Sequence, residues 1–226
     1  MKKLLRILLP ALAAALLLTA CFGGDPAVDR AGKKLMGDYL SEHYAKAKLV
    51  SCDQLVSRPA ADRLEGTSWV HGSFTADDGT RYNFWADTAD GSIYTDERIS
   101  EFNVVTAQAL AEALGMAPGS TGASAYPVFF LHGTSIHGLL PVNAGDLRQY
   151  LAAALRDEDI ILRIYAGGRE AISDAQAEAL LADWNGVRLR WYRLDTLPTQ
   201  AEADSFGFWK ELETEPTQIE TPGYRE

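Results

Sequence analysis

The stretch Thr67–Glu97, "TSWVHGSFTADDGTRYNFWADTADGSIYTDE", decides the fold of the first half of the chain. It contains three runs rich in aromatic and β-branched residues, separated by Asp78-Gly79 and Asp90-Gly91. Asp-Gly between such runs is a strong hairpin signal, because both residues tolerate the positive φ angles of tight turns. The stretch therefore predicts an antiparallel meander of short strands.

Two further elements precede this meander. The run "AKLVSCDQLV" at 47–56 predicts another strand, and apolar residues at helical spacing predict an amphipathic helix over Lys33–Ala47. A helix laid on an antiparallel meander resembles the PepSY-like and cystatin-like modules of exported bacterial proteins. The resemblance implies an α+β subdomain, which we place at residues 33–102. The residues on the apolar face of the helix are Leu35, Met36, Tyr39, Leu40 and His43.

The second half alternates between helix and strand patterns. After a helix that ends at Gly115, the runs "AYPVFFLHG", "DIILRIYAGG" and "VRLRWYRLD" predict strands with helices between them. Such alternation predicts parallel pairing through right-handed crossovers. Alternatively, "FFLHGTSIHGLL" folds as a hairpin around His132 to Ser135 and adds an antiparallel edge. We place this β-α-β-α-β subdomain at residues 103–198, so the predicted fold class is mixed α+β and α/β.

The C-terminal segment, residues 199–226, is acidic and contains proline. Thr199-x-x-Glu202 matches a capping box and predicts a short helix that docks Phe206, Trp209 and Leu212 on the body. Beyond Glu213 we expect disorder.

The N-terminus has the layout of a secretory signal. Lys2, Lys3 and Arg6 precede an uncharged apolar run over residues 7–20. That run is short of the roughly 20 residues that cross a bilayer core, which makes a transmembrane helix the weaker alternative. The pattern predicts export.

Leu18-Thr19-Ala20-Cys21 resembles the lipobox of bacterial lipoproteins. The resemblance implies that residues 1–20 are removed and that the Cys21 sulfur receives a diacylglycerol. The small and polar residues that follow predict a tether over residues 21–32. Two acyl chains hold a protein on a membrane, whereas one binds only marginally. Phe22 rather than Asp follows the cysteine, so the expected location is the cell membrane, or the outer membrane in a bacterium that has two.

Charge and cysteine content argue against a nucleic-acid partner and against a reactive thiol. The signal holds three of the 21 basic residues and no acidic residue, so 18 basic residues remain against 31 acidic ones, a net charge of −13. This balance argues against nucleic acid as a partner. Cys52 is the only other cysteine, and its apolar surroundings predict a small buried hydrophobe rather than a reactive thiol.

Polar residues at the strand ends of the second half form one candidate site. Ligands in open α/β sheets bind beyond the carboxyl ends of strands, so a catalytic or two-histidine metal site is conceivable there. The sequence contains neither G-x-S-x-G nor H-E-x-x-H at this place, and the alternative is that these residues serve in turns. The candidate residues are His132, Ser135, His137, Arg169, Glu170 and Asp195.

Acidic residues in the hairpins suggest calcium, but their spacing does not match an EF-type loop and turn chemistry explains them. Gly167-Gly168 lacks the remaining residues of a phosphate-binding loop, so it predicts a strand-to-helix turn. We therefore expect no metal and no cofactor. The acidic residues are Asp77, Asp78, Asp87, Asp90, Asp96 and Glu97.

Aromatic residues of the meander form a second candidate site. Tyr82 and Phe84 share one face by alternation, whereas Trp85 points to the other. One face packs on the helix, and the other is a platform for glycan, peptide or protein, with Trp69, Trp85 and Tyr94 as its binding residues. The alternative is burial of both faces.

The sequence thus predicts a lipid-anchored envelope protein with a binding or assembly role. One alternative is a hydrolase or metal-dependent enzyme centred on His132 and His137. The other is a passive structural subunit of an envelope complex.

Overall fold

The computed structural model describes residues 25–57, 65–116, 123–131, 134–157, 160–184, 186–213 and 219–220. The chain divides into two compact units, residues 1–93 and 94–226. Both combine helices with sheets, so the predicted mixed α+β class is confirmed. The predicted signal segment and Cys21 lie outside the described residues. Within the described ranges, no helix is both long enough and apolar enough to span a bilayer.

Helix α1, Pro26–His43, opens the first unit. The Asp25 carboxylate caps it by accepting the Ala27 amide N–H at 2.8 Å, and Pro26 occupies the first turn, where its missing N–H costs nothing. The helix begins seven residues before the predicted Lys33, so residues 26–32 of the predicted tether are helical. Gly32 is buried in this segment, and glycine fits there because a Cβ would collide with the Val70 side chain.

The predicted antiparallel meander is confirmed. Gly79 and Gly91 take φ angles of 89° and 81° in its turns, as the two Asp-Gly pairs require. The first sheet has the strand order β1-β2-β3-β4-β7, in which β7 is Leu140–Pro141. The meander strands are β1 (Lys48–Ser57), β2 (Glu65–Thr75), β3 (Arg81–Asp87) and β4 (Ile93–Thr95).

One face of the meander and α1 enclose the core of the first unit. Phe84 is fully buried there and Tyr82 packs beside it, so the predicted facing of β3 is confirmed. Cys52 is 3% exposed in the same core, and burial raises the pKa of its thiol to about 11, in agreement with the predicted buried hydrophobe. The other buried members of the core are Met36, Leu40, Val70, Phe74, Ala86 and Ile93.

The second unit contains a five-stranded mixed sheet with the order β10-β9-β8-β5-β6, in which β10 is Ile219–Glu220. The predicted hairpin is confirmed, since β6 pairs antiparallel with β5 and forms an edge. A short strand, β7 (Leu140–Pro141), pairs with β4. The elements are α2 (Ile99–Ala113), β5 (Ala123–Leu131), β6 (Thr134–His137), α3 (Leu147–Ala154), β8 (Ile161–Gly168), α4 (Asp174–Asp183) and β9 (Val187–Arg193).

The predicted parallel pairing of the strands in this unit is confirmed for one pair and wrong for another. Strands β8 and β9 are parallel across α4, but β5 and β8 are antiparallel. The cause is β6, which reverses the chain once more before α3 carries it back to the sheet. A capping box begins α4, because the Gln176 amide donates to Ser173 Oγ at 3.3 Å and Gln176 Oε1 accepts from the Ser173 amide at 2.9 Å.

Helices α5 (Gln200–Ala203) and α6 (Phe206–Leu212) dock on one face of the second sheet. Thr199 and Glu202 form the predicted capping box, and Trp209 is fully buried with its indole N–H donating to the Ala203 carbonyl at 2.9 Å. Beyond Glu213 the expectation of disorder is wrong at two residues, since strand β10 (Ile219–Glu220) pairs antiparallel with β9.

Candidate functional site

The face of the meander that points away from α1 carries polar and aromatic side chains. Asp53, His71 and Trp85 occupy directly opposed positions on β1, β2 and β3 and form one row across the sheet. The rings of His71 and Trp85 lie 5.7 Å apart, centroid to centroid, with their planes 35° apart. Asp53 and His71 are exposed and Trp85 is half-buried. An imidazole flanked by a carboxylate and an indole is therefore presented at the surface of this unit.

A second row lies beside the first. Ser51, Ser73 and Asn83 are opposed in the same register, and the two serine hydroxyls are 3.2 Å apart. Ser73 Oγ also accepts hydrogen bonds from Arg81, at 3.1 Å from Nε and 2.7 Å from Nη2. Ser73 is only 2% exposed, so its role is to hold the exposed Arg81 guanidinium against the sheet before any ligand arrives. We call the six residues of the two rows, together with Arg81, the polar face.

The other two residues of the predicted aromatic site behave differently. Trp69 shares the side of the polar face by alternation, but it is only 6% exposed, so burial removes it from any platform. Tyr94 is half-buried on β4, begins the second unit and pairs with Pro141 of β7. Of the three predicted aromatic residues, the polar face includes Trp85.

The predicted histidine site is only partly described, because His132 lies outside the described residues. Ser135 and His137 lie on the same side of β6, and Ser135 Oγ is 3.3 Å from His137 Nε2. The His137 ring contacts Phe206 at a centroid distance of 4.5 Å. Burial lowers the pKa of His137, and the positive charges of Arg163 and Lys210 lower it further. The imidazole is therefore held in its neutral form near pH 7.

The remaining residues of that prediction lie elsewhere in the second unit. Ser135 is opposite Phe130, and Phe130 is opposite Ile161 at the start of β8. Arg169 follows the other end of β8, about 26 Å further along at about 3.3 Å per residue. Glu170 and Asp195 are at that same far end. These residues do not come together, because β5 and β8 are antiparallel. The carboxyl end of β5 therefore lies beside the amino end of β8, at the opposite end of the strands from Arg169.

Five of the six acidic hairpin residues accept hydrogen bonds from backbone amides or threonine hydroxyls of their own unit. Asp77 accepts the amides of Ala45 and Lys46 at 2.9 and 2.7 Å, and Asp78 accepts the Thr80 amide and hydroxyl at 2.8 and 2.9 Å. The bonds from Thr80 lower the pKa of Asp78. Asp87 and Asp90 accept amides two residues ahead, and Glu97 accepts the Thr95 hydroxyl. Across the residues that the structure describes, no group of three potential ligands could hold a metal ion.

Sequence reasoning missed a cluster of three arginines on the second sheet. Arg163 on β8 lies directly opposite Arg188 on β9, and Arg190 lies opposite Tyr165. We call Arg163, Arg188 and Arg190 the arginine cluster. The alternation Arg163-x-Tyr165 and Arg188-x-Arg190-x-Tyr192 places these residues on one side of each strand, and this was the available signal.

Comparison with known proteins gives no further assignment. No family model, no curated protein and no solved structure matches this chain.

Proposed function

We propose that the chain is an exported lipoprotein, anchored to the membrane through Cys21, whose first unit binds a partner in the cell envelope through the polar face. The observation that carries the binding role is the row of Asp53, His71 and Trp85 across three strands. The anchor is supported by the charged start, the short apolar run and the four-residue box of the sequence.

The chemistry of the polar face favours an uncharged polar partner. Asp53 repels anions and Arg81 repels cations, while both supply hydrogen-bonding groups. The Trp85 indole offers an apolar surface with a polar N–H, a combination typical of binding surfaces that stay partly wet. A glycan or a polar peptide segment meets these requirements, because each alternates apolar C–H surface with hydroxyl or amide groups.

The experiment compares two variants in cells that lack the chromosomal copy. Trp85→Ala removes the anchor ring of the polar face, and His137→Ala removes the imidazole of the second unit. We expect folded Trp85→Ala protein to lose the function of the gene and folded His137→Ala protein to retain it. Thermal unfolding verifies that both variants are folded. Loss of function in His137→Ala with retention in Trp85→Ala would contradict the binding role and support the enzymatic alternative.

That alternative has one observation in its favour, the pair of Ser135 and His137. A neutral imidazole 3.3 Å from a serine hydroxyl has the chemistry of a general base beside a nucleophile. Within the described part of the chain, no carboxylate is hydrogen-bonded to His137, so the third group that orients such a base is not supplied there. The Ser135→Ala variant tests the enzymatic alternative. If the pair is catalytic, the wild type should hydrolyse an activated ester and the variant should not.

A further inference from the structure

The segment between the proposed anchor and the folded first unit is short. Helix α1 begins at Pro26, so only four residue steps separate Cys21 from Asp25, the helix cap. An extended chain covers at most about 3.6 Å per residue, so Cys21 lies within about 14 Å of Asp25. A diacylglycerol on Cys21 therefore brings the start of α1 to the bilayer surface.

The start of α1 is also fixed to the sheet of its own unit. The Asp25 amide donates a hydrogen bond to Gln54 Oε1, and the Gln54 amide donates to Asp29 Oδ1 at 2.8 Å. Gln54 is buried on β1, where water competes little for these bonds. Because unwinding of the first turn would break both bonds, the connection to Cys21 stays short.

The exposed side of α1 carries positive charge close to this start. Arg30, Lys33 and Lys34 are all exposed, and the spacing i, i+3, i+4 puts them on one side of the helix. At about 1.5 Å per residue, they lie about 6–12 Å along the helix from Pro26. Three cations are therefore presented on the part of α1 that is nearest to the anchor.

The charge on the exposed side of α1 changes sign along the helix. Asp38 and Glu42 are exposed beyond the three cations, whereas Asp29 in the first turn is directed toward β1. Lys34 Nζ lies 2.6 Å from Asp38 Oδ2, but the Lys34 side chain is 77% exposed, so its charge still faces solvent. The chain as a whole has a net charge of −10, so this positive charge is a local concentration.

We propose that Arg30, Lys33 and Lys34 form a contact surface for anionic phospholipid headgroups. The proposal rests on the lipid anchor of the proposed function. Because the anchor holds this surface at the bilayer, weak charge contacts suffice to orient the first unit, although they would not recruit an unanchored chain. Helix α1 and the polar face lie on opposite sides of the meander, so the contact directs the polar face away from the lipid.

The test measures this orientation with the full lipidated protein in vesicles of phosphatidylglycerol and phosphatidylcholine that carry a nitroxide on the headgroup. A bimane label is attached to one new cysteine, either Gly37→Cys on the exposed side of α1 or Asn83→Cys on the polar face, with Cys52→Ala in both proteins. A side chain at position 37 meets nothing within 4 Å of its Cβ. The nitroxide should quench the label at position 37 at least threefold more than the label at position 83.

Charge variants and a flotation assay complete the test. Changing Arg30, Lys33 and Lys34 to glutamine should remove most of the difference in quenching, as should vesicles of phosphatidylcholine alone. Lys46→Gln with Lys48→Gln, at exposed positions beyond the far end of α1, is the control and should preserve the difference. Equal quenching at both positions, or a difference that survives the three glutamine changes, would overturn the proposal. Protein that does not float with the vesicles would refute the anchor as well, whereas floating protein without this orientation would refute the headgroup contact alone.

Discussion

His71 on β2 lies directly opposite Trp85 on β3, and the two rings are in contact 5.7 Å apart on the side of the sheet away from α1. The neighbouring residue Phe84 points to the other side and is fully buried. Phe84 and Trp85 are adjacent on one strand, but Phe84 packs in the core and Trp85 lies at the surface. This difference makes the binding role testable apart from stability.

Trp85→Ala should leave the first unit folded. Truncation of a buried aromatic residue costs about 3–5 kcal/mol, and the free energy of unfolding of the Trp85→Ala variant should fall by less than this. Phe84→Ala is the matched control and should cost that full amount, because its ring is 0% exposed in the core. Urea unfolding followed by tryptophan fluorescence measures both; equal losses would mean that Trp85 is a core residue.

Gly72→Ala should destabilise the first unit strongly. A Cβ at this position would lie 2.0 Å from the Ser51 carbonyl oxygen and 2.9 Å from Phe84 Cζ, so the strands would have to separate, at a cost of about 1–3 kcal/mol or more. Gly37→Ala in α1 is the control, because nothing lies within 4 Å of its Cβ. It should instead stabilise by about 0.5–1 kcal/mol. Chemical denaturation that ranks the two variants in the opposite order would contradict the register of β1 and β2.

Cys21→Ser should abolish incorporation of labelled fatty acid and leave an uncleaved precursor, because serine has no thiol to form the thioether. Cys52→Ala is the control and should incorporate label like the wild type, since the Cys52 thiol is buried and its pKa is raised to about 11. Label retained in the Cys21→Ser variant would refute the anchor.

Acid should weaken the second unit through His137. Burial and the charges of Arg163 and Lys210 lower its pKa in the folded state, so the unfolded chain, with a pKa of about 6.5, binds the proton more readily. The stabilising contribution is therefore complete above about pH 6.5 and is lost as pH falls toward the folded-state pKa. His137→Gln should lose less stability than the wild type between pH 7 and pH 5, and Lys210→Met should lie between them. Identical losses in all three proteins would show that this group does not carry the effect.

Local signals predicted most of the first unit. The Asp-Gly pairs specify positive φ angles within a few residues of the strands they join, so the meander could be inferred from sequence alone. Asp25-Pro26 is typical of a helix start, with a capping carboxylate followed by proline in the first turn. The prediction instead assigned these residues to the tether.

Features that depend on distant pairing could not be inferred. The direction of β8 relative to β5 follows from the extra reversal at β6, and this reversal separates Ser135 and His137 from Arg169, Glu170 and Asp195. The arginine cluster depends on the register of β8 against β9, which no local pattern fixes. Of the seven residues of the polar face, the sequence predicted Trp85 alone as a binding residue, because the positions of the other six depend on the register of β1, β2 and β3.

Photo-crosslinking in cells tests the central claim most directly. A photoreactive amino acid replaces Asn83 within the polar face or, as the control, Lys34 on the exposed side of α1, where its side chain is 77% exposed. The binding role predicts an adduct of defined mass from position 83, none from position 34, and loss of that adduct when Trp85→Ala is added to the folded protein. Adducts that form equally from both positions, or that persist unchanged with Trp85→Ala, would contradict it.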